Sequence, residues 1–168
     1  MPSVHQHTLS FDGDAFKIFY IFKDRPQAFF LDSSLRQAHA QISYIGFAPF
    51  TTVRGRDWAG FKRVFDKYRM APQSLSFPAG AVGYLGYDGS LFFGFYDTIV
   101  SVDHQKHQLI ISSFSKARIK DILKQLKVYE RLYSCVSSGG RGRGLPSERR
   151  LLRARWGNPR TGPDDHRF

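Results

Sequence analysis

The chain has 168 residues, of which 42% are hydrophobic, and it carries a formal net charge of +11. This length suits one domain with its own core, and no segment approaches the roughly 20 apolar residues that a membrane-spanning helix needs. The N-terminus lacks the pattern of a signal peptide, and a single cysteine, Cys135, excludes an internal disulfide. We therefore expect a cytoplasmic protein.

The first half of the chain predicts strands and one helix. Aromatic and β-branched residues over 15–22 predict a strand. Further strands are predicted over 27–32, 41–47 and 51–54. Asp57 is placed to cap a helix over 58–69. The apolar residues of this helix recur at intervals of three and four: Trp58, Phe61, Val64, Phe65 and Tyr68.

The second half predicts a hairpin and another helix. Apolar runs over 92–102 and 108–112 flank the polar segment 103–107, as in two strands joined by a turn. A helix over about 116–127 follows from four apolar residues at helical spacing: Ile119, Ile122, Leu123 and Leu126. Together these elements predict an α+β fold, with largely antiparallel sheet layers and two or three helices.

The composition changes near residue 129. All nine lysines and all nine isoleucines lie before it, whereas residues 129–168 contain nine arginines. We expect a folded domain over 1–128 and a disordered Arg/Gly/Pro-rich tail over 129–168. The tail can be interpreted as an RNA-binding arm, as a solvated segment without function, or as the product of a shifted reading frame. The last interpretation fits the change in residue usage best.

The positive charge is divided between these two segments. Residues 1–128 contain 16 basic and 10 acidic residues, and residues 129–168 contain 9 and 4. Because nearly half of the excess falls on the tail, the net charge does not require a basic surface on the domain. We therefore do not expect a nucleic-acid partner.

Four glycines recur at every third residue: Gly80, Gly83, Gly86 and Gly89. Glycine permits close approach of another backbone or a positive φ. The run lacks the Gly-Lys-Ser/Thr ending of a phosphate-binding loop, and its spacing differs from that of the dinucleotide fingerprint. We interpret these four residues as structural glycines that allow tight backbone packing within a sheet.

Polar candidates for a site are few. The segment Leu31-Asp32-Ser33-Ser34 follows a predicted strand, and its hydroxyl and carboxyl groups suit an amino-acid ligand, although the same residues favour a capped turn. His104 and His107 lie three residues apart in a predicted turn, without further ligands at zinc spacing. Cys135 has no obvious base nearby. We assign no catalytic residue and no metal ligand.

Several segments, taken in order, match the pattern of a known family. They are Phe30-Leu31-Asp32-Ser33-Ser34, the run from Ser43 to Pro49, the run from Phe77 to Asp88, Phe95-Tyr96-Asp97, and Val102-Asp103-His104. Over about residues 15–127 the chain resembles the N-terminal domain of the anthranilate synthase component I and para-aminobenzoate (aminodeoxychorismate) synthase component I family. The last two segments favour the para-aminobenzoate branch, which serves folate biosynthesis.

The resemblance implies a chain without its own active site. In that family, component I aminates chorismate with ammonia from a glutamine amidotransferase partner. Magnesium and chorismate bind in a C-terminal catalytic domain, whose motifs this chain lacks. The N-terminal domain packs on that domain and contributes part of a tryptophan pocket, which falls here on Leu31, Asp32, Ser33 and Ser43. No cofactor is then expected in this chain, and the chain alone should be inactive.

Two departures and two alternatives accompany this resemblance. Many members have Arg-Tyr where this chain has Gln41-Ile42, and many have glycine in place of Ala79. The missing arginine removes a basic group near the pocket. The alternatives are a fragment of an anthranilate synthase component I, from tryptophan biosynthesis, and a non-catalytic module that binds an amino acid or another protein.

Overall fold

The computed structural model describes residues 3–33, 41–69 and 77–137, with side chains through Tyr129. These residues form three helices and eight strands, which confirms the predicted α+β fold. The strands are β1 (His5–Ser10), β2 (Phe29–Leu31), β3 (Ile42–Gly46), β4 (Thr51–Gly55), β5 (Gly80–Leu85), β6 (Leu91–Tyr96), β7 (Thr98–Asp103) and β8 (Gln108–Ser113). The helices are α1 (Ala15–Phe22), α2 (Trp58–Lys67) and α3 (Lys116–Ser137). Ser34 and the tail residues 138–168 lie outside the described residues.

The strands form two antiparallel sheets. The five-stranded sheet has the order β1-β8-β7-β3-β2, and the three-stranded sheet has the order β4-β6-β5. The central strands of the two sheets are therefore β7 and β6, and only Asp97 separates them in the chain. The apolar run predicted over 92–102 is thus divided at Asp97 between two sheets.

The main core lies where α1 and α3 pack against the five-stranded sheet. Alternate residues of each strand face the helices, and β8 contributes Leu109 and Ile111. From α3 the buried residues are Ile119, Ile122 and Leu126, which confirms the predicted apolar stripe. Each such side chain contributes about 1.5–3 kcal/mol when it is fully buried, so α3 is held firmly by this face.

The prediction of a strand over 15–22 is wrong, because these residues form α1. Asp14 caps the helix, since its Oδ1 accepts a hydrogen bond from the Phe16 backbone N–H at 2.9 Å. The buried residues of α1 recur at helical intervals: Ala15, Ile18, Ile21 and Phe22. Aromatic and β-branched residues favour strands, but packing of this face into the core outweighs that weak preference.

Helix α2 packs on the three-stranded sheet. The Phe61 ring centroid lies 4.8 Å from that of Phe93 and 5.7 Å from that of Phe95. The predicted cap is confirmed, because Asp57 Oδ1 accepts a hydrogen bond from the Gly60 backbone N–H at 2.7 Å. This second, smaller core therefore joins α2 to the central strand β6.

The apolar face of α2 is only partly buried. Trp58 and Phe65 each remain 48% exposed, although their spacing places them on the same predicted face as Phe61. The short three-stranded sheet does not reach across the whole helix face. Large apolar side chains thus remain at the surface of this part of the molecule.

Helix α3 continues past the end predicted for it. It runs to Ser137, beyond residue 127. The compact unit that contains the two sheets ends at Tyr129, and helical residues 130–137 are the described part of a second unit. None of the helices in the described ranges is long and apolar enough to cross a membrane.

Candidate functional site

Ser43 lies at the centre of a polar cluster. It is fully buried on β3, and its Oγ lies 2.9 Å from Asp32 Oδ1, 3.1 Å from the Ser33 backbone N and 2.8 Å from His104 Nε2. We refer to Asp32, Ser33, Ser43 and His104 as the Ser43 cluster. The cluster gathers one carboxylate, one imidazole and one backbone N–H around the hydroxyl oxygen of Ser43.

Sheet topology explains how these residues meet. Strand β3 lies between β2 and β7, with Leu31 paired to Tyr44 and Val102 paired to Ser43. Asp32 and Ser33 follow β2, and His104 follows β7, so both segments leave the sheet beside Ser43. The His104 backbone N–H also donates to the Gln41 carbonyl at 2.9 Å, which extends the pairing of the two strands.

The hydrogen bonds of Ser43 can be assigned from its chemistry. A serine hydroxyl donates one hydrogen bond and accepts two, and a carboxylate only accepts. The Ser43 hydroxyl therefore donates to Asp32, and it accepts from the Ser33 N–H and from His104 Nε2–H. All three positions of the hydroxyl are used, and a neutral His104 carries its proton on Nε2.

This arrangement does not activate Ser43 as a nucleophile. In a Ser-His-Asp triad a histidine nitrogen accepts the serine proton, and the carboxylate holds the other ring nitrogen. Here the carboxylate and the imidazole both contact the serine oxygen, and His104 is the donor. The cluster therefore fixes the segment after β2 against β3, which leaves the Asp32 side chain at the surface.

Three of the four predicted pocket residues are in contact. Asp32, Ser33 and Ser43 are in direct contact, and Leu31 precedes them on β2 with 48% of its surface exposed. Because Leu31 pairs with Tyr44, and Tyr44 and Ser43 face opposite sides of β3, the Leu31 side chain lies on the other face of the sheet from Ser43. Ser34, the last residue of the predicted segment, lies outside the described residues.

His104 is the member of the cluster that the sequence did not assign. Its spacing to His107 suggested only a metal site, yet His107 Nδ1 lies 2.9 Å from Asp12 Oδ1 and takes no part in the cluster. The preceding residue, Asp103, is buried and accepts the backbone N–H groups of Gln105 and Lys106 at 3.1 and 2.9 Å. The signal available in the sequence was the segment Val102-Asp103-His104, in which Asp103 holds the turn that positions His104.

No metal site accompanies the Ser43 cluster in the described part of the chain. Residues 3–33, 41–69 and 77–129 contain no group of three or more His, Cys or acidic side chains that could hold a metal ion.

The four predicted structural glycines belong to the other sheet. A Cβ at Gly83 would clash with the Phe92 carbonyl oxygen and would lie 2.7 Å from Phe93 Cα. Gly83 therefore allows β5 to approach β6 closely. Gly86 and Gly89 bound the turn between these strands, in which Gly89 has a φ of +78° and donates its N–H to the Gly86 carbonyl at 3.0 Å.

Gly80 connects the glycine run to the sheet that carries the Ser43 cluster. A Cβ at Gly80 would lie 2.6 Å from the Phe77 ring. The Phe77 ring in turn packs edge-on against Tyr44 of β3, with 5.6 Å between ring centroids. Gly80 thus leaves room for an aromatic contact with the strand that carries Ser43.

Comparison with known proteins does not name a family. The chain matches no protein-family model, and no curated protein matches it in sequence.

Proposed function

We propose that the chain is the N-terminal, non-catalytic portion of a cytoplasmic chorismate-aminating synthase component I, of the aminodeoxychorismate type. One observation carries this proposal. The resemblance rests on separate segments, and residues from three of them meet at Ser43 Oγ: Asp32 lies 11 positions before Ser43, and His104 lies 61 positions after it. If these residues form a structural site that the family shares, they are expected to meet in space.

The proposed role of the Ser43 cluster is to hold part of a tryptophan-type pocket. Asp32 would attract the ammonium group of the amino acid. In the family the pocket is completed by other parts of the protein. Binding by this chain alone should therefore be weak, and calorimetry with L-tryptophan should detect no micromolar affinity. A micromolar dissociation constant would contradict this role.

The proposed function is tested by adding a separate catalytic domain to the chain. The chain alone, with chorismate, ammonia and magnesium, should form no product. When mixed with the catalytic domain of an aminodeoxychorismate synthase component I produced without its own N-terminal domain, the chain should co-elute with that domain in gel filtration. Turnover by the chain alone would contradict the proposal, and so would failure to co-elute at micromolar concentrations of both proteins.

A second candidate is a module that binds another protein, and exposed apolar side chains favour it. Tyr84 and Leu85 at the end of β5 are 64% and 58% exposed, and Trp58 and Phe65 of α2 are nearly half exposed. Trp58 and Phe65 flank the Phe61 ring on one face of α2, and a cluster of exposed apolar residues marks an interaction surface. The candidate partners are the catalytic domain and the glutamine amidotransferase. Co-elution with the amidotransferase alone would favour this second function.

The gene offers a test that needs no protein. If the tail after residue 128 arises from a shifted reading frame, another frame downstream of codon 128 should encode the motifs of the catalytic domain. The sequence of that catalytic domain would also distinguish the aminodeoxychorismate branch from the anthranilate branch. If no frame encodes such motifs, the interpretation of the tail is wrong.

A further inference from the structure

The positive charge of the folded part is concentrated on one helix. Residues 1–115 contain 11 basic and 9 acidic residues, whereas residues 116–127 contain five basic residues and one acidic residue. Twelve residues at the start of α3 thus carry two thirds of the net charge of residues 1–128. Counts of basic and acidic residues over 1–128 and 129–168 do not reveal this concentration. The expectation of no nucleic-acid partner rests on those counts.

Four of these basic residues form a continuous row, which we call the lysine ridge: Lys116, Lys120, Lys124 and Lys127. Their spacings of four, four and three residues place them within an arc of about 80° and over a length of about 16 Å on the helix. All four are exposed. The buried stripe of α3 occupies a different arc, so the ridge faces solvent along its whole length.

The ridge lacks neutralising partners among the described side chains. None of its four lysines forms an ion pair within 4 Å in residues 3–33, 41–69 and 77–129, whereas Lys23, Lys62 and Lys106 each pair with an aspartate. Like charges four residues apart on a helix destabilise it by a few tenths of a kcal/mol per pair. An anionic partner along the ridge would remove this repulsion.

A membrane surface fits the ridge poorly. An interfacial helix buries its apolar face among the lipids, but the apolar face of α3 is already occupied, because Ile119, Ile122 and Leu126 belong to the main core. A protein partner also fits poorly, since interface cores are depleted in lysine and depend on aromatic residues and arginine. The ridge itself contains only ammonium groups.

We propose that the lysine ridge binds the phosphodiester backbone of a nucleic acid without reading its bases. Lysine is a compact point charge that suits repeated phosphates, and neutralisation of phosphates releases counterions, which drives such binding. The row contains no Arg, Asn or Gln, the side chains that most often read base edges with two hydrogen bonds, so we expect contacts to phosphates alone. This function is independent of the Ser43 cluster and of the family proposed above.

The test compares two full-length variants with the same change in charge. The ridge variant carries Lys116→Gln, Lys120→Gln, Lys124→Gln and Lys127→Gln. The control variant carries four substitutions at exposed lysines elsewhere: Lys17→Gln, Lys62→Gln, Lys67→Gln and Lys106→Gln. The probe is a fluorescein-labelled uridine RNA of about 20 nucleotides, whose anisotropy is measured between about 50 and 300 mM KCl.

The ridge variant should lose affinity on the order of 100-fold at low salt, and the slope of log affinity against log salt should become shallower by about 3, since each phosphate contact contributes about 0.7. The control variant should keep the wild-type slope. The double variant Lys120→Gln, Lys124→Gln should produce half the change in slope. This milder variant replaces the ridge variant if circular dichroism shows that the ridge variant is misfolded. Equal losses in the ridge and control variants, an unchanged ridge variant, or ridge-dependent binding to phosphatidylserine vesicles in place of RNA would overturn the proposal.

Discussion

Ser43 Oγ and His104 Nε2 lie 2.8 Å apart, although 61 positions separate the two residues in the chain. The contact joins the end of β7 to the buried side of β3. On its other side the same oxygen holds Asp32, at the end of β2. One hydroxyl thus fixes the ends of the two strands that flank β3, and the candidate pocket depends on it.

Replacement of Ser43 by alanine should lower the free energy of unfolding by about 1–2 kcal/mol, because the partly buried Ser33 N–H loses its acceptor, whereas the exposed Asp32 and His104 side chains can bond to water. Urea unfolding followed by circular dichroism measures this loss. The matched control is Ser90→Ala, which removes a hydroxyl that donates to Asp88 at the surface, where water can replace it. A loss of stability in the control equal to that in Ser43→Ala would show that burial of Ser43 is unimportant.

The contact between Ser43 and His104 should also appear as coupling. In a double-mutant cycle with Ser43→Ala and His104→Phe, the double variant should lose less unfolding free energy than the sum of the two single losses. The difference should be about 0.5–3 kcal/mol, as expected for residues in contact. The surface pair His107 and Asp12, only 2.9 Å apart, provides a second cycle, in which a coupling of at most about 1 kcal/mol is expected. Strict additivity for Ser43 and His104 would contradict the assigned hydrogen bond.

Two glycines of the run should respond differently to alanine. Gly83→Ala forces a Cβ against the backbone of β6, and the strands must separate, at a cost of about 1–3 kcal/mol or more. Gly89→Ala meets no atom within 4 Å and is strained only by the φ of +78°, which costs about 1–2 kcal/mol. Hydrogen exchange distinguishes the two, because only Gly83→Ala should lower protection along β5 and β6. Equal protection in both variants would argue against the close approach at Gly83.

Tyr96 should make the protein sensitive to alkaline pH. Burial raises the pKa of Tyr96, and its hydroxyl donates to the Gln27 carbonyl at 2.7 Å. An unfolded tyrosine ionises near pH 10, so the unfolded chain releases this proton first. The stabilisation from Tyr96 is therefore complete below about pH 10 and is lost as the pH rises through the higher pKa of the folded state.

Tyr96→Phe tests this dependence. The variant should be less stable by about 1 kcal/mol at neutral pH, because the bond to Gln27 is lost, and its stability should decline less steeply above about pH 10 than that of the wild type. Tyr84→Phe is the control, since the Tyr84 side chain is largely exposed. This substitution should leave the decline of stability with pH unchanged. A decline as steep in Tyr96→Phe as in the wild type would exclude Tyr96 as its source.

Most strands and two helices followed from the sequence because their patterns were local. The apolar spacing over 116–127 and the capping Asp57 needed no tertiary information. The error over 15–22 has a physical cause. Aromatic and β-branched residues favour strands, but the buried positions of α1 follow a helical period, which could have been read after the cap at Asp14. The residue composition over 15–22 predicts a strand, whereas the spacing of the buried residues predicts the helix that is observed.

Other features depended on contacts that no local pattern contains. Strand β1 (His5–Ser10) is mostly polar and exposed, and it exists because its backbone pairs with β8 at the edge of the sheet. The role of His104 likewise depends on the pairing of β7 with β3, which brings it to Ser43. The segment Leu31-Asp32-Ser33 could be chosen as a candidate, but its histidine partner could not.

The joint at Asp97 has a mechanical consequence. One residue spans at most about 3.6 Å, so the chain has no slack where it passes from the centre of one sheet to the centre of the other. Asp97 is itself held, because its carbonyl accepts the Phe114 N–H at 3.1 Å and its carboxylate accepts the Thr98 hydroxyl at 2.9 Å. A displacement at the end of β6 is therefore passed directly to the start of β7, and we expect the two sheets to unfold in one cooperative transition.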